Sequence, residues 1–230
     1  MENLAELLNR SPSVNSYAKC GHCGLRPKHK DRSWCKRCIR IYHNRQNWTN
    51  QRMEKHIISQ VGERYADAEL YNLPKEIKQQ LKDYKGLRDL YLYGNIGSGK
   101  TYTMAALLKL YTFEGFDCIR INFDDFCVQV RSTFSRAAKQ TERDIVKPLM
   151  ECDMLFIDDL ALRARAESDF AYVTLYTLLN KRQEKLLPTI LSSNKSIDQL
   201  EKTFDSRVGS RLKLALEIKY TGKDLRRVCE

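Results

Sequence analysis

The chain has 230 residues, a length typical of one catalytic domain with a small additional module. Hydrophobic residues make up 42% of the chain and aromatic residues 10%, which excludes a wholly disordered protein. No apolar run approaches the roughly 18 residues of a membrane-spanning helix, and the acids close to Met1 argue against a secretion signal. We therefore expect a cytoplasmic protein without membrane contact.

The positive charge of the chain is concentrated near its N-terminus. The formal net charge is +11, and residues 1–56 hold twelve of the 40 Lys and Arg residues but only four of the 29 Asp and Glu residues. An excess of positive charge favours a polyanionic partner such as DNA. Within this region, residues 1–16 are expected to be an N-terminal tail that either frays or docks onto another surface.

Two cysteine pairs follow the tail. Cys20 and Cys23 form one C-x₂-C pair, and Cys35 and Cys38 form a second one. Each pair can bind one side of a tetrahedral Zn²⁺, and a structural zinc explains how a segment so poor in apolar residues can fold. The alternatives are disulfides or a redox pair, which a reducing compartment disfavours. We predict a zinc-binding module over residues 17–45.

Basic and aromatic side chains surround the predicted zinc module. The basic residues are Lys28, Lys30, Arg32, Lys36, Arg37, Arg40 and Arg45, and the aromatic ones are Trp34, Tyr42 and Trp48. Cations and aromatic rings together suit phosphate contact and base stacking, so one interpretation is DNA binding. In the other interpretation Trp34 and Tyr42 form the small core of the module and its cations are only solvated.

Residues 46–85 are polar and are predicted to be a helical linker region, with Pro74 at a helix start or break. After Leu87, short apolar strands alternate with helical segments, which predicts an α/β fold with a parallel sheet and helices on both faces over residues 86–230. Strands are predicted over Leu87–Tyr93, Phe116–Phe123, Met154–Ile157, Thr189–Ser192 and Leu216–Tyr220. Helices are predicted over Lys100–Phe113, from Asp124 or Asp125 to about Arg136, and over Phe170–Lys185.

An eight-residue glycine-rich loop joins the first predicted strand to the first predicted helix of this domain. Its residues, Gly94, Asn95, Ile96, Gly97, Ser98, Gly99, Lys100 and Thr101, match the phosphate-loop pattern in full. The glycines let backbone N–H groups wrap around a phosphate, Lys100 places a cation against the β- and γ-phosphates, and Thr101 offers a hydroxyl to Mg²⁺. The loop predicts a site for ATP and Mg²⁺.

Polar residues follow two later strands. Asp158 and Asp159 come directly after the apolar run Met154–Ile157, and Asn194 follows the strand over Thr189–Ser192. The carboxyl ends of parallel strands are where α/β sheets place active residues. Asp158 would hold Mg²⁺ through water, Asp159 would orient or deprotonate the attacking water, and Asn194 would reach the γ-phosphate or that water. Solvated turns are the alternative for both positions.

The glycine-rich loop, the acid pair and Asn194 together resemble the AAA+ ATPases. Residues 57–230 are similar in particular to the branch that holds DnaC/DnaI-type helicase loaders and IstB-type transposition ATPases. The resemblance implies a P-loop NTPase core without a helical lid. It also makes Asn194 the sensor 1 residue.

Two further arginines receive roles from the same resemblance. The segment 205–212 is similar to the box VII motif, which makes Arg211 an arginine finger acting on the ATP of a neighbouring subunit. The segment 222–226 is similar to the sensor 2 region and suggests Arg226. Asp159 stands where most AAA+ proteins carry Glu, and this shorter acid predicts slow or partner-stimulated hydrolysis.

The resemblance implies a DNA replication factor that hydrolyses ATP to ADP and phosphate and loads a replicative helicase onto DNA. Its partners would be the helicase, single-stranded or double-stranded DNA, and further copies of the chain in ATP-dependent oligomers. Because an N-terminal domain of the resembling loaders contacts the helicase, the zinc module could equally dock onto a protein. One alternative is an IstB-like ATPase that selects target DNA for a transposase. Another is an ATP-dependent DNA-binding adaptor that does not hydrolyse ATP.

Overall fold

The computed structural model describes residues 19–26, 34–47, 49–82, 84–135, 138–160, 169–203 and 206–222. The predicted tail of residues 1–16 and the predicted sensor residue Arg226 lie outside these ranges. In the described part of the chain, nine α-helices accompany one sheet of five parallel strands. The predicted α/β fold with a parallel sheet is therefore confirmed. None of the described helices is long and apolar enough to cross a bilayer.

The strand order in the sheet is β2-β3-β4-β1-β5, so β2 and β5 are its edges. The strands are β1 (Leu90–Gly94), β2 (Cys118–Asn122), β3 (Met154–Asp158), β4 (Thr189–Ser193) and β5 (Leu216–Tyr220). Residues of β3 and β4 are buried throughout, as expected for central strands of a sheet covered on both faces.

The helices cover both faces of the sheet and one of its edges. They are α1 (Lys36–Asn47), α2 (Asn50–Val61), α3 (Lys75–Leu81), α4 (Lys100–Phe113), α5 (Phe123–Ser132), α6 (Glu142–Glu151), α7 (Asp169–Glu184), α8 (Ile197–Thr203) and α9 (Ser206–Leu212). Two short 3₁₀ turns, Glu63–Tyr65 and Leu70–Asn72, lie between α2 and α3. The bounds of α4 are those predicted, whereas α6, α8 and α9 were not predicted.

The start of α5 differs from the prediction. Asp124 and Asp125 were expected to cap this helix, but it begins at Phe123 and its N-cap is Asn122. The Asn122 side-chain oxygen accepts hydrogen bonds from the N–H groups of Asp124 at 2.9 Å and Asp125 at 3.3 Å. The two acids therefore occupy the first turn, where their charge stabilises the positive end of the helix dipole.

The two faces of the sheet bury separate apolar clusters. Along β1, Leu90 and Leu92 point to one face and Tyr91 to the other, because side chains alternate along a strand. The first face packs against α2, α3 and α4, and the second against α5 to α9. Ile57 of α2 and Ile77 of α3 belong to the first cluster, so the segment predicted as a linker packs directly on the sheet.

Helix α2 runs beside the edge strand β2, and its side chains form hydrogen bonds with backbone groups of that strand. His56 Nε2 lies 3.1 Å from the Cys118 carbonyl oxygen, and the Gln60 side-chain oxygen accepts a hydrogen bond from the Arg120 N–H at 2.8 Å. Residues four apart on a helix rise about 6 Å, and residues two apart on a strand advance by a similar distance. The spacing of His56 and Gln60 along the helix therefore matches the spacing of Cys118 and Arg120 along the strand, and α2 covers this edge of the sheet.

Helix α1 packs against the amino-terminal edge of the sheet. Arg37 Nε donates to Asp153 Oδ1 at 3.1 Å, and Asp153 is fully buried immediately before β3. Gly115 lies close to α1, since a Cβ at this glycine would come within 2.4 Å of the Ile41 carbonyl oxygen. Removing one partner of a buried ion pair typically costs roughly 3–5 kcal/mol, so the Arg37–Asp153 pair fixes α1 on the sheet.

Candidate functional site

The glycine-rich loop curls between β1 and α4 at the carboxyl edge of the sheet. Gly97 and Gly99 have positive φ angles of 73° and 98°, which favour glycine. Gly94 has a φ of 139°, and a Cβ there would lie 2.0 Å from the Tyr220 carbonyl oxygen of β5. The loop can therefore keep this path only with glycine at its first position.

Lys100 and Asn194 lie in direct contact. Lys100 is 7% exposed, and its ammonium donates to the Asn194 side-chain oxygen at 2.9 Å. The same ammonium donates to the carbonyl oxygens of Gly94 at 2.8 Å and Asn95 at 2.7 Å. Because β1 and β4 are neighbours in the sheet, the residues that follow them meet at one edge. The lysine is thus held at the mouth of the loop by neutral oxygens, which phosphate oxygens can replace.

Asp158 is a buried acid surrounded by hydrogen-bond donors. It is 2% exposed, and its Oδ1 accepts from Ser192 Oγ at 2.6 Å and from Thr101 Oγ1 at 3.3 Å. Its Oδ2 accepts from Arg120 Nη2 at 2.5 Å. Hydroxyl and carboxylate oxygens are the ligands that Mg²⁺ prefers, so Thr101 and Asp158 fit the predicted metal role.

Asp159 faces a different direction from Asp158. It is exposed, its φ is 55°, and its backbone N–H donates to Ser192 Oγ at 2.8 Å. This left-handed backbone is uncommon outside glycine, although Asp tolerates it better than most residues. The turn after β3 consequently sends the first carboxylate towards Thr101 and the second into a cavity.

The cavity next to the loop has a volume of about 580 Å³, within the range of small-molecule sites. Its polar wall is formed by Ile96–Thr103, Asp159, Ser192 and Asn194. Ser98 Oγ in this wall is buried and has no hydrogen-bond partner among the described residues. A buried polar atom without a partner is costly, and a phosphate oxygen would satisfy it. The polar wall therefore fits a nucleotide phosphate chain.

The other wall of the cavity comes from residues between α2 and α3, together with β5. It is formed by Arg64, Tyr65, Asn72, Leu73, Pro74 and Tyr220. The Tyr102 hydroxyl accepts hydrogen bonds from the Glu69 N–H at 3.1 Å and from Asn72 Nδ2 at 3.3 Å, which ties this segment to α4. Sequence reasoning missed this wall, because no motif marks the segment.

Arg211 does not join this site in the described part of the chain. Arg211 lies on α9, and its guanidinium carbon is 5.9 Å from the centre of the Tyr176 ring. Arg207, one turn earlier, lies 5.3 Å from the same ring. Arg211 does not line the cavity of its own chain. Arg226 falls outside the described residues.

The four cysteine sulfurs form a compact cluster near the N-terminus. The Sγ atoms of Cys20, Cys23, Cys35 and Cys38 all lie within 4.8 Å of one another, and all four cysteines are free of disulfides. Cys23 and Cys35 Sγ are 4.0 Å apart, close to the roughly 3.8 Å edge of a tetrahedron with Zn–S distances of about 2.3 Å. Four thiols in this geometry fit a structural zinc, which would link the turn before Arg26 to the start of α1.

The local environment of the thiols differs within the cluster. Burial opposes ionisation of Cys20, but hydrogen bonds from the backbone N–H groups of Cys23, Cys35 and His22 outweigh it and lower its pKa to about 6. Burial raises the pKa of Cys38. The Trp34 ring packs against the cysteines, as expected for the small core of the module. Tyr42, which contacts Trp34 edge-on, remains 49% exposed.

Comparisons with known proteins agree with this geometry. A family model described as the bacterial DnaA ATPase domain matches residues 67–219. The chain is 23% identical over 144 residues to the replicative helicase loader DnaC of Escherichia coli (strain K12), covering 62% of this chain and 58% of DnaC. It is 28% identical over 120 residues to the replicative helicase loader DnaI of Bacillus subtilis (strain 168), covering 51% of this chain and 36% of DnaI.

A solved structure shares the fold. The crystal structure of the DnaC helicase loader superposes with a TM-score of 0.58 at 19% identity, covering 69% of this chain and 99% of that chain. The chain spans less than two thirds of the length of the two curated relatives. The family model covers more than half of the chain, so the chain belongs to the bacterial DnaA ATPase domain family and is a DnaC/DnaI-like AAA+ ATPase.

Proposed function

We propose that the chain hydrolyses ATP and uses the cycle of ATP binding and hydrolysis to load a replicative helicase onto DNA. The observation that carries the ATPase proposal is the contact of Lys100 with Asn194 beside the acid pair, at the mouth of a cavity of nucleotide size. The names of the relatives DnaC and DnaI, both replicative helicase loaders, support the helicase as the partner.

The roles of the site residues follow from where their atoms lie. Lys100 and the loop N–H groups bind the phosphates, and Ser98 Oγ supplies a further polar contact. Thr101 and Asp158 hold Mg²⁺, which would neutralise charge on the phosphate oxygens. Asp159, exposed in the cavity wall, orients the attacking water and accepts its proton. Asn194 keeps the Lys100 ammonium in place beside this water.

The cysteine module is proposed to bind one zinc ion and to contact DNA. Lys36, Tyr42 and Arg45 of α1 are exposed, and exposed cations with an exposed aromatic ring suit phosphate contact and base stacking. The Trp34 ring, in contrast, packs in the core of the module. The module lies at the sheet edge opposite the nucleotide cavity, so DNA held there leaves that cavity accessible.

A head-to-tail oligomer is proposed to complete the nucleotide site. Arg211 lies away from the cavity of its own chain, and its half-buried guanidinium rests on Tyr176. An arginine placed in this way can reach the nucleotide of a neighbouring copy. Such a contact joins two different surfaces, so it generates rings or open helical assemblies.

The decisive experiment is a loading assay with the purified chain and the replicative helicase encoded in the same genome. We expect wild-type chain and ATP to place the helicase on single-stranded DNA covered by single-strand-binding protein, as measured by unwinding of a downstream duplex. Lys100→Ala should abolish this loading. The matched control is Lys181→Ala, which removes a surface lysine paired with Glu184.

Three outcomes would redirect the assignment. Nucleotide binding without any helicase loading would reject the helicase role, and binding of a transposase instead would support the IstB-like alternative. Loading without phosphate release, even with DNA and helicase present, would indicate the adaptor that does not hydrolyse ATP.

A further inference from the structure

Arg120 forms an ion pair with the acid proposed to hold Mg²⁺. Its Nη2 lies 2.5 Å from Asp158 Oδ2, and the two side chains are 19% and 4% exposed. The other oxygen of this carboxylate accepts from Ser192 and Thr101. Both oxygens of Asp158 are therefore engaged by side chains of the protein itself.

The sheet register explains this contact. Arg120 on β2 is paired with Phe156 on β3, and Asp158 lies two residues further along β3 on the same face. An extended arginine side chain spans the roughly 7 Å between positions two apart on a strand. The ion pair thus follows from the alternation of side chains on two neighbouring strands.

Arg120 is also bound from its other side by α2. Its backbone N–H donates to Gln60 Oε1 at 2.8 Å, and its Nη1 donates to the Gln60 carbonyl oxygen at 3.2 Å. Gln60 lies in the last turn of α2, which follows the α1 helix of the cysteine module in the chain. One arginine therefore connects α2 to the acid at the carboxyl edge of β3.

Two cations would compete for one buried carboxylate when Mg²⁺ arrives. A buried carboxylate needs a partner of opposite charge, and Arg120 supplies it. Thr101 bonds Oδ1 and Arg120 bonds Oδ2, so Mg²⁺ held beside Thr101 would meet a carboxylate whose negative charge the guanidinium already offsets. Arg120 therefore opposes binding of the metal electrostatically and does not have to leave Asp158.

We propose that Arg120 is a positioning residue that competes with Mg²⁺ for the negative charge of Asp158, and that the Gln60 backbone carbonyl strengthens this competition by holding the guanidinium. This inference rests on the proposed nucleotide site, since it assumes that Thr101 and Asp158 hold the metal. Arg120 raises the Mg²⁺ concentration at which nucleotide binds tightly.

The test is a titration of Mg²⁺ with the full chain and a fluorescent ADP analogue, starting from EDTA. Arg120→Gln removes the competing charge, so it should lower the half-saturating Mg²⁺ concentration at least about 5-fold. Arg120→Met should shift it in the same direction, because it also removes the cation and keeps the length of the side chain. Arg120→Lys should restore part of the wild-type value. The matched control is Lys181→Gln, which removes a surface cation paired with Glu184 and should change nothing.

Direct binding of Mn²⁺, followed by the loss of its free electron-spin resonance signal, gives a second readout that does not depend on nucleotide. An unchanged or raised half-saturating concentration in Arg120→Gln would overturn the proposal, provided that wild type depends on Mg²⁺. Nucleotide affinity in EDTA equal to that of wild type shows that the variant is folded, and Arg120→Met tests the same competition if Arg120→Gln does not fold. If nucleotide binding by wild type does not depend on Mg²⁺, Asp158 does not hold the metal. The proposed competition is then refuted together with the proposed metal site.

Discussion

The Lys100 ammonium donates a hydrogen bond to the side-chain oxygen of Asn194, 94 positions further along the chain. The contact joins the loop after β1 to the residue after β4, two neighbouring strands. The polar residue that follows β4 therefore fixes the position of the Lys100 ammonium, which we propose binds phosphate. Changes at Asn194 should affect turnover more than binding, because the loop amides remain in place.

We expect Asn194→Ala to lower the ATPase rate about 10- to 100-fold while changing nucleotide affinity only a few-fold, since it removes one group that positions charge in the transition state. Steady-state phosphate release and nucleotide titration measure the two effects. Asn180→Ala is the control, because Asn180 pairs with Glu184 outside the cavity. Equal losses of affinity and rate would contradict the sensor role of Asn194.

Substitutions at Lys100 and Asp159 should affect ATP binding and ATP hydrolysis differently. Lys100→Ala removes a charge-assisted contact with phosphate and should weaken ATP binding roughly 100-fold. Asp159→Asn keeps the size of the side chain but cannot accept a proton, so binding should persist while turnover falls by a factor on the order of 10² or more. Nucleotide affinity of Lys100→Ala equal to that of wild type would refute the phosphate-loop assignment.

Purified protein should contain one zinc ion per chain, measured by elemental analysis of freshly reduced protein. Cys35→Ser should lose this zinc and the fold of the cysteine module, because structural zinc supplies much of the folding free energy of such modules. Nucleotide affinity should stay within a few-fold of wild type, since the module lies at the opposite edge of the sheet. Cys127→Ser, outside the cluster, should keep its zinc. Protein without zinc would disprove the site.

Mixing two inactive variants tests the arginine finger. Arg211→Ala should bind ATP normally and lose about 10³-fold in rate, as expected for an arginine that stabilises the transferred phosphoryl group. Mixing it with Asp159→Asn subunits should restore part of the activity, because an intact Asp159 can then face an intact Arg211. Arg207→Ala is the matched control, since Arg207 contacts the same Tyr176 ring. A mixture that assembles but stays inactive would show that Arg211 does not act between subunits.

The stability of the fold should depend on pH through Asp89, which lies just before β1. Burial raises the pKa of this carboxyl group above 3.8, although hydrogen bonds from Gln183 Nε2 and the Thr189 N–H oppose the shift. The folded chain then binds a proton more readily than the unfolded chain. The resulting stabilisation is complete below the ordinary pKa of 3.8 and is lost as the pH rises through the raised value.

Urea unfolding of Asp89→Asn between about pH 4 and pH 7 measures this contribution. The variant cannot ionise at this position, so its free energy of unfolding should increase relative to that of wild type as the pH rises. Asp198→Asn, an exposed acid on α8, is the control and should show no such trend. If the free energies of unfolding of Asp89→Asn and wild type differ by the same amount at every pH, the raised pKa of Asp89 is contradicted.

The sequence predicted the parts of the site that depend on spacing along the chain. The glycine-rich loop and the start of α4 follow from a contiguous motif, and Asp158 and Asn194 follow from the ends of apolar strands. The contact of Lys100 with Asn194 needs only the rule that the carboxyl ends of parallel strands share an edge. These features were accessible because local pattern determines them.

Other parts of the site depend on register and packing, which the sequence alone does not specify. The ion pair of Arg120 with Asp158 requires the pairing of Arg120 with Phe156, and no pattern in β2 indicates that register. Similarly, Tyr65 and Leu73 line the cavity because their segment folds back over α4, held by Tyr102. A polar helical segment gives no local signal for such packing.

The position of α2 beside β2 matters for any shortened form of the protein. Gln60 and His56 occupy backbone groups of Arg120 and Cys118 that would otherwise project from an open strand. An uncovered strand edge is a template for pairing with other chains and for aggregation. A fragment that begins after Val61 would uncover this edge, so fragments intended to isolate the nucleotide-binding half should start no later than Asn50 to remain monodisperse.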